Sequence, residues 1–448
     1  MFGFLEKYLM GPMGKVSQFK IVRAVMAAGM ASIPFTIVGS MFLVFNVLPL
    51  TFPALTGFFE NTFYRFSDLY MLANTSTMGI LALYFGIVFG YELTRIEQTE
   101  SHLDVNPLNG ALLSMFAFFL CIPELLFENG SMTLINSVTD TETVIKGFRM
   151  GDTVSRLGTT GIFTAIIMSI VAVNLYCLCV RRKWIIKMPD TVPTGVSRSF
   201  TALIPAFVVA FAVLIINGIL IALGTDIFNI IAVPFGFVTN LTNSWLGILV
   251  IYFLMHALWI VGIHGATIVT SFLTPIVLAN MTANAAGANI PFAGEFNNSF
   301  VTVGGSGATL GLVIFITFFA KSDQLKVLGK ASIVPSLFNI NEPIIFGMPV
   351  VYNPYIAIPF FLGPMTAASL GYWAIKLGIV NPVIAQVPWP SPIGLGGFIG
   401  TGGDWKAIVL AFVCALASFI IYFPFIKVYD AKLAKEERER GQEVATQA

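Results

Sequence analysis

The run SFTALIPAFVVAFAVLIINGILIAL, residues 199–223, holds 25 consecutive positions without one Asp, Glu, Lys or Arg. At 1.5 Å per residue such a helix rises about 37 Å, more than the roughly 30 Å hydrocarbon core of a bilayer. Working outward, comparable apolar runs lie at roughly 21–48, 69–93, 108–126, 159–180, 245–263, 303–320, 355–379 and 406–428. Shorter apolar pieces lie near 266–281 and 343–351. The 448-residue chain as a whole is 56% hydrophobic and only 10% charged, against about 25% charged in soluble domains; its mean hydropathy is +0.85. Lipid offers no partner to open backbone groups, so the spans are expected to be helical. The sequence therefore predicts an all-α polytopic membrane protein with about ten transmembrane helices plus one or two re-entrant segments.

Charge and cysteine usage narrow the function. A formal net charge of +1 leaves no electrostatic footprint for nucleic acid. Cys121, Cys177, Cys179 and Cys414 all lie in apolar runs, where cysteine acts as a small hydrophobe. The Cys177-x-Cys179 spacing fits neither a zinc site nor a redox motif, and no cofactor or metal is expected. Of the 24 Lys and Arg, 18 fall in segments that share one side when the spans alternate. The positive-inside rule makes that side, with both termini, cytoplasmic. Residues 1–20 alternate basic and apolar positions and read as an amphipathic interfacial helix rather than a cleavable signal.

Composition shifts near residue 244. The first five spans are continuous, whereas ten of the 23 prolines lie between Pro335 and Pro392, among Gly347, Gly363, Gly394, Gly396, Gly397 and Gly400. Broken helices at membrane depth are tolerated where the backbone lines a cavity or is buried in protein, and in transporters they build the substrate site. Residues 21–243 are thus expected to form a scaffold half, with an amphipathic linker near 224–243. Residues 244–430 are expected to form the transport half, and 431–448 a charged cytoplasmic tail.

An ionisable group inside a membrane domain costs about 2.5–3.5 kcal/mol on insertion scales, which makes each one a functional candidate. Here they are few. His256 and His264 lie in HALWIVGIHG, residues 256–265. His256 is either a buried histidine bonded to a neighbouring helix or a ligand contact; glycines at 262 and 265 open the backbone around His264 and favour function there. Glu342 sits between Asn341 and Pro343, so its backbone is biased away from helix. A carboxylate accepts hydrogen bonds from two hydroxyls, and the adjacent amide both donates and accepts, a pairing suited to a sugar. Glu295, with Asn297, Asn298 and Ser299, is either a second ligand contact or a solvated loop residue. Trp389, between Pro388 and Pro390, is either a stacking face for a pyranose or an interfacial anchor. Asp404 beside Lys406 reads as a cap or ion pair. The GGSGATL run, residues 304–310, lacks the Gly-Lys-Ser/Thr ending of a nucleotide P-loop and reads as a helix start whose small residues admit close packing.

Five blocks in order, GIHG (262–265), GGSGATL (304–310), NEPIIFGMPVVYNP (341–354), PWP (388–390) and TGGDW (401–405), resemble the IIC membrane component of bacterial sugar phosphotransferase systems, in the lactose/cellobiose/diacetylchitobiose group. The resemblance spans essentially the whole chain. It implies a homodimer of ten-helix subunits in the bacterial inner membrane, with an N-terminal dimerisation half and a C-terminal half carrying a β-linked disaccharide. It further implies that the sugar's 6-hydroxyl is phosphorylated from a cysteine of a IIB protein, with His264 and Glu342 near that hydroxyl and Asn341 and Trp389 on the sugar. His256 and Glu295 remain additional contacts. The charged tail contains no cysteine, so IIB is expected as a separate partner and the substrate leans to cellobiose or diacetylchitobiose. The chain is then a transport component of a phosphotransferase that draws its phosphoryl group from elsewhere. An ion-coupled symporter is the competing reading; it would show several intramembrane carboxylates in a relay, where this sequence offers Glu342 and Glu295.

Overall fold

The computed structural model describes residues 15, 18–122, 125–128, 130–134, 156–186, 200–260, 264–348, 350 and 353–447. The interfacial helix expected over residues 1–20 falls almost wholly outside them. Six helices among the described residues are long and apolar enough to cross a membrane: Lys20–Pro49, Tyr64–Glu100, Ile162–Arg181, Leu203–Ala222, Tyr355–Lys376 and Trp405–Arg440. Two shorter apolar helices, Pro107–Phe119 and Trp245–Ile260, join them.

In chain order the helices are α1 (Lys20–Thr51), α2 (Thr56–Asn61), α3 (Ser67–Thr75), α4 (Leu81–Glu100), α5 (Pro107–Phe119), α6 (Ile162–Arg181), α7 (Leu203–Ala222), α8 (Ile227–Thr242) and α9 (Trp245–Ile260). There follow α10 (Gly265–Ala285), α11 (Leu310–Phe318), α12 (Asp323–Ser336), α13 (Glu342–Gly347), α14 (Pro354–Lys376), α15 (Leu395–Gly400) and α16 (Trp405–Gln447). The span expected over 108–126 ends at Phe119. Beyond it the chain forms a small antiparallel hairpin, β1 (Leu125–Glu128) and β2 (Ser131–Leu134), turning at Gly130 with φ +78°. The span expected over 303–320 is also shorter, because its first third is a turn and only α11 is helical. The apolar piece near 266–281, by contrast, is a full 21-residue helix, α10.

The chain divides into two compact units. One comprises Ser17–Gly39 and Tyr70–Thr239; the other joins Ser40–Leu69 to Asn240–Ala448. Residues 40–69, which the sequence places in the N-terminal half, thus group with the C-terminal elements.

In the first unit, α4, α5 and α6 meet through small residues. A Cβ at Gly90 would lie 2.1 Å from Ser114 Oγ, and one at Gly110 would lie 1.8 Å from Thr94 Oγ1. Helices in lipid gain little from the hydrophobic effect against one another, so such close approach supplies the dispersion contact that holds them. Asn106 starts α5, its side chain accepting from Leu108 N at 2.9 Å with Pro107 at the first helical position, where a missing N–H costs nothing.

The second unit is built around a buried apolar cluster that includes Ile260, Leu312, Ile316, Ile344, Ile356, Phe360, Tyr422 and Ile426. These residues come from α9, α11, α13, α14 and α16. Asp404 is 4% exposed and accepts from Lys406 N at 3.0 Å and Asn381 N at 2.9 Å; it caps α16, one of its two readings from sequence.

Candidate functional site

The site of the second unit is organised by the turn Thr302–Thr309. Gly304, Gly305, Gly307 and Ala308 all have positive φ, at 87°, 102°, 87° and 55°, so no helix continues through them. Glycine is required at two of these positions for space as well: a Cβ on Gly305 would lie 2.3 Å from the Asn341 side chain, and one on Gly307 would lie 2.3 Å from the Phe360 ring. Buried backbone groups need partners, and side chains from three regions provide them. Gly304 N–H donates to Asn339 Oδ1 at 2.9 Å, and Gly307 N–H to His256 Nε2 at 3.0 Å. Ser306 C=O accepts from Asn341 Nδ2 at 2.6 Å, Gly307 C=O from Tyr422 Oη at 2.8 Å and Ala308 C=O from Ser418 Oγ at 2.8 Å.

The two histidines are placed differently. His256, on α9, is 0% exposed. Its Nδ1 lies 2.7 Å from Tyr252 C=O while Nε2 accepts from Gly307, so the partners define a neutral ring protonated on Nδ1. Both nitrogens are engaged, and its ring packs edge-on against Phe360 at 5.2 Å. His264 is exposed and caps α10: its Nδ1 accepts from Thr267 N at 3.1 Å, with Thr267 Oγ1 at 2.7 Å. That leaves Nε2 as the donor of the neutral ring. The imidazole rests against Trp259, centroid to centroid 4.3 Å. Gly265 lets α10 start this close to α9, since a Cβ there would meet Met255 C=O at 1.9 Å.

Glu342 opens α13 and is exposed. Its charge acts on His264, which places the carboxylate and imidazole within electrostatic reach of one another. Asn341 is 4% exposed and its amide is committed inward, to Ser306 C=O and to Thr309 Oγ1 at 2.8 Å. Its own C=O accepts from Ile344 N and Ile345 N at 2.9 and 3.0 Å, which starts α13.

Glu295 is partly exposed, and one carboxylate oxygen accepts from Asn298 Nδ2 while the other accepts from Gln386 Nε2. Asn298 C=O in turn accepts from Asn339 Nδ2 at 3.1 Å. A continuous polar line therefore runs from Gln386 through Glu295 and Asn298 to Asn339, two residues before Asn341 and three before Glu342 in the sequence. Beside it, Asn297 Oδ1, Ser299 Oγ, Gln386 Oε1 and Tyr252 Oη are buried without a hydrogen-bond partner among the described residues, and Tyr252 lies within electrostatic reach of Glu295. Trp389 is 49% exposed, three residues beyond Gln386. Sequence reasoning missed Asn339, Gln386, Ser418 and Tyr422. Asn339 alone had a local signal, as an amide two residues ahead of the Asn-Glu-Pro block.

Apolar helices that hold a line of amides, the carboxylates Glu295 and Glu342 and a half-exposed indole, with no large charge cluster among the described residues, have the composition of a membrane carrier. The particular family follows from comparison. The chain belongs to the family described as Phosphotransferase system, EIIC, whose match covers residues 26–364, and it is a sugar permease of that type. It is 33% identical over 445 residues, 97% of this chain and 95% of the other, to the lichenan permease IIC component of Bacillus subtilis (strain 168). It is likewise 33% identical over 449 residues, 97% and 95% of the two chains, to the cellobiose-specific EIIC component of Geobacillus stearothermophilus. The crystal structure of the transporter ChbC, the IIC component of an N,N'-diacetylchitobiose-specific phosphotransferase system, superposes with a TM-score of 0.85 at 34% identity, covering 97% of this chain and 99% of that one.

Proposed function

We propose that the chain carries a β-linked disaccharide, cellobiose or diacetylchitobiose, into the cell and presents its 6-hydroxyl to a phosphorylated IIB protein. The observation that supports this reading is that His264 and Glu342, both exposed, stand at the N-termini of α10 and α13 in the unit that also holds the hydrogen-bonded line Gln386, Glu295, Asn298 and Asn339. In the transfer, the 6-oxygen bonds to phosphorus as the phosphorus–sulfur bond of the IIB phosphocysteine breaks. The cysteine leaves as thiolate, and the hydroxyl proton passes to a base of the permease. Such a reaction asks for in-line positioning and charge stabilisation. Glu342 is the first choice for orienting the hydroxyl and accepting its proton, and His264 Nε2–H for stabilising developing charge; the two roles are exchangeable. Asn341 holds the Glu342 backbone, Trp389 offers an apolar face to the ring, and Glu295 with its amide neighbours takes hydroxyls farther from the reacting end. His256 acts by fixing the turn at Gly307.

The product carries a phosphate dianion that an apolar path rejects, so uptake is directional without an ion gradient. The same reading places both termini in the cytoplasm of a bacterial inner membrane and the protein in a homodimer. The 21–243 half supplies the dimer contacts while the 244–430 half moves against it in alternating access.

The test is uptake of labelled cellobiose and diacetylchitobiose by proteoliposomes given phosphorylated IIB on the cytoplasmic face, with an imposed proton gradient in parallel. Sugar 6-phosphate that forms only with the phosphodonor, and is lost in Glu342→Gln, is the expected result. Unmodified sugar accumulated by the gradient alone would make the protein a symporter and overturn the proposal.

A further inference from the structure

α12 lies between two spans and belongs to neither. It has 14 residues, about 21 Å of helix, and it carries Asp323, Lys326 and Lys330, too short and too charged to cross a bilayer. One side of it, Leu325, Gly329, Ser332 and Ser336, is buried. The other carries an apolar stripe: Val327 is 69% exposed and Val334 62%, with exposed Ala331 between them, and it continues just past the helix end to Phe338, 41% exposed.

The stripe is rigidly mounted. Asp430 accepts from Lys321 N and Ser322 N, both at 2.9 Å. Glu437 accepts from Ser322 Oγ at 2.6 Å, Asp323 N at 2.9 Å and Gln324 N at 3.1 Å, so the first turn of α12 is held by two carboxylates of α16. Midway, Gly329 sits against α11, where a Cβ would lie 2.6 Å from Thr317 N. At the far end, Leu337 C=O accepts from Ile393 N at 3.0 Å and Asn339 is fixed to the glycine turn.

We propose that this face of α12 is the docking surface for the phosphoryl-donor protein, an inference that rests on the group-transfer reading above and names where its partner sits. Two observations choose that occupant. The stripe ends at Phe338, four residues before Glu342, no more than about 14 Å of extended chain, so a protein seated on it has its edge at the hydroxyl to be phosphorylated. Its flank carries Lys326 and Lys330, both on the side that the positive-inside reading assigns to the cytoplasm. Lys326 is paired with Asp323 at 2.9 Å, and Asp430 and Glu437 keep their charge behind the α12 N-terminus, so the cation this flank presents is Lys330, exposed one turn on. The exposed Lys330 beside an apolar centre complements a partner that brings a phosphate next to an apolar patch.

The experiment measures sugar phosphorylation by the full chain in proteoliposomes against a titration of phosphorylated IIB, for the wild type and for Val327→Asp with Val334→Asp. Docking predicts that the IIB concentration at half-maximal rate rises at least tenfold, while the maximal rate and the sugar Kd stay within twofold. Lys330→Glu is expected to give a smaller rise that shrinks in high salt. An active wild type matched by an unchanged half-maximal concentration in the double variant would sink the docking surface alone. A wild type that forms no sugar phosphate with any donor would sink the parent reading and this one with it. A bimane on Val334→Cys quenched by brominated lipid, and indifferent to IIB, would show that the bilayer covers the stripe and would also overturn the proposal.

Discussion

Gly307→Ala is the substitution whose cost is most directly readable. The residue sits at φ +87°, where an L side chain costs about 1–2 kcal/mol. Its new methyl would lie 2.3 Å from the Phe360 ring, itself fully buried, and overpacking a core costs about 1–3 kcal/mol. A turn that moves to relieve the clash stretches the bonds from Gly307 N–H to His256 and from Tyr422 to Gly307 C=O, worth about 1 kcal/mol each. The sum is roughly 4–7 kcal/mol. Gly378 supplies the control: its φ is +71°, but nothing lies within 4 Å of an added Cβ, so Gly378→Ala costs about 1–2 kcal/mol. Apparent unfolding midpoints in detergent, followed by sugar titration of the surviving fraction, separate the two. Gly307→Ala should lower the midpoint well beyond Gly378→Ala and weaken sugar binding, and Phe360→Leu in the same chain should restore part of the loss. Equal midpoints for the two alanine variants would refute the reasoning, since the packing and hydrogen-bond terms are what distinguish them.

Glu295→Gln keeps the shape of the side chain but removes the carboxylate that accepts from Asn298 and Gln386; calorimetry should show sugar affinity falling about tenfold, or 1.4 kcal/mol, with the phosphorylation rate at saturating sugar little changed. Glu437→Ala leaves Ser322 Oγ, Asp323 N and Gln324 N without their acceptor. A lost helix cap costs about 0.5–2 kcal/mol, and amide hydrogen exchange at residues 323 and 324 should quicken while sugar binding holds.

The spans were legible because their signal is a length: an apolar run either matches a bilayer or does not, and residues 199–223 needed no tertiary information to be read. What defeated local reading was a change of backbone conformation inside an apolar run. The 303–320 run is as hydrophobic as its neighbours, and its opening residues were legible as small but not as a turn with positive φ at Gly304, Gly305, Gly307 and Ala308. The hairpin beyond Phe119 failed for the same reason, since apolarity continues where the helix stops. Within the site, Glu342 and His264 were readable from residues beside them, a proline in one case and glycines in the other. The place of His256 was not, because its second partner is Gly307, 51 residues away. Gln386 was invisible for a stronger version of that reason, being 91 residues from the carboxylate it meets.

These long-range partners also decide what the glycine turn does. A glycine-rich run at the start of a helix invites comparison with phosphate cradles, in which successive backbone N–H groups converge on an anion. Here those donors are spent on the protein itself. Gly304 N–H goes to Asn339 and Gly307 N–H to His256; Gly305 N–H goes to Thr302 C=O, Ala308 N–H to Gly305 C=O and Leu310 N–H to Val303 C=O. An anion at the turn would have to displace bonds already made in a buried setting, each at a cost of about 1–3 kcal/mol. The turn is instead a joint. Asn341 is locked to it on one side and carries the Glu342 backbone on the other, while Asn339 ties the same turn to Asn298 and so to Glu295. Any shift of the turn therefore moves both carboxylates together. On the proposed group-transfer reading phosphate arrives at His264 and Glu342, and the turn contributes by holding Glu342, through Asn341, and the Glu295 end at a fixed spacing.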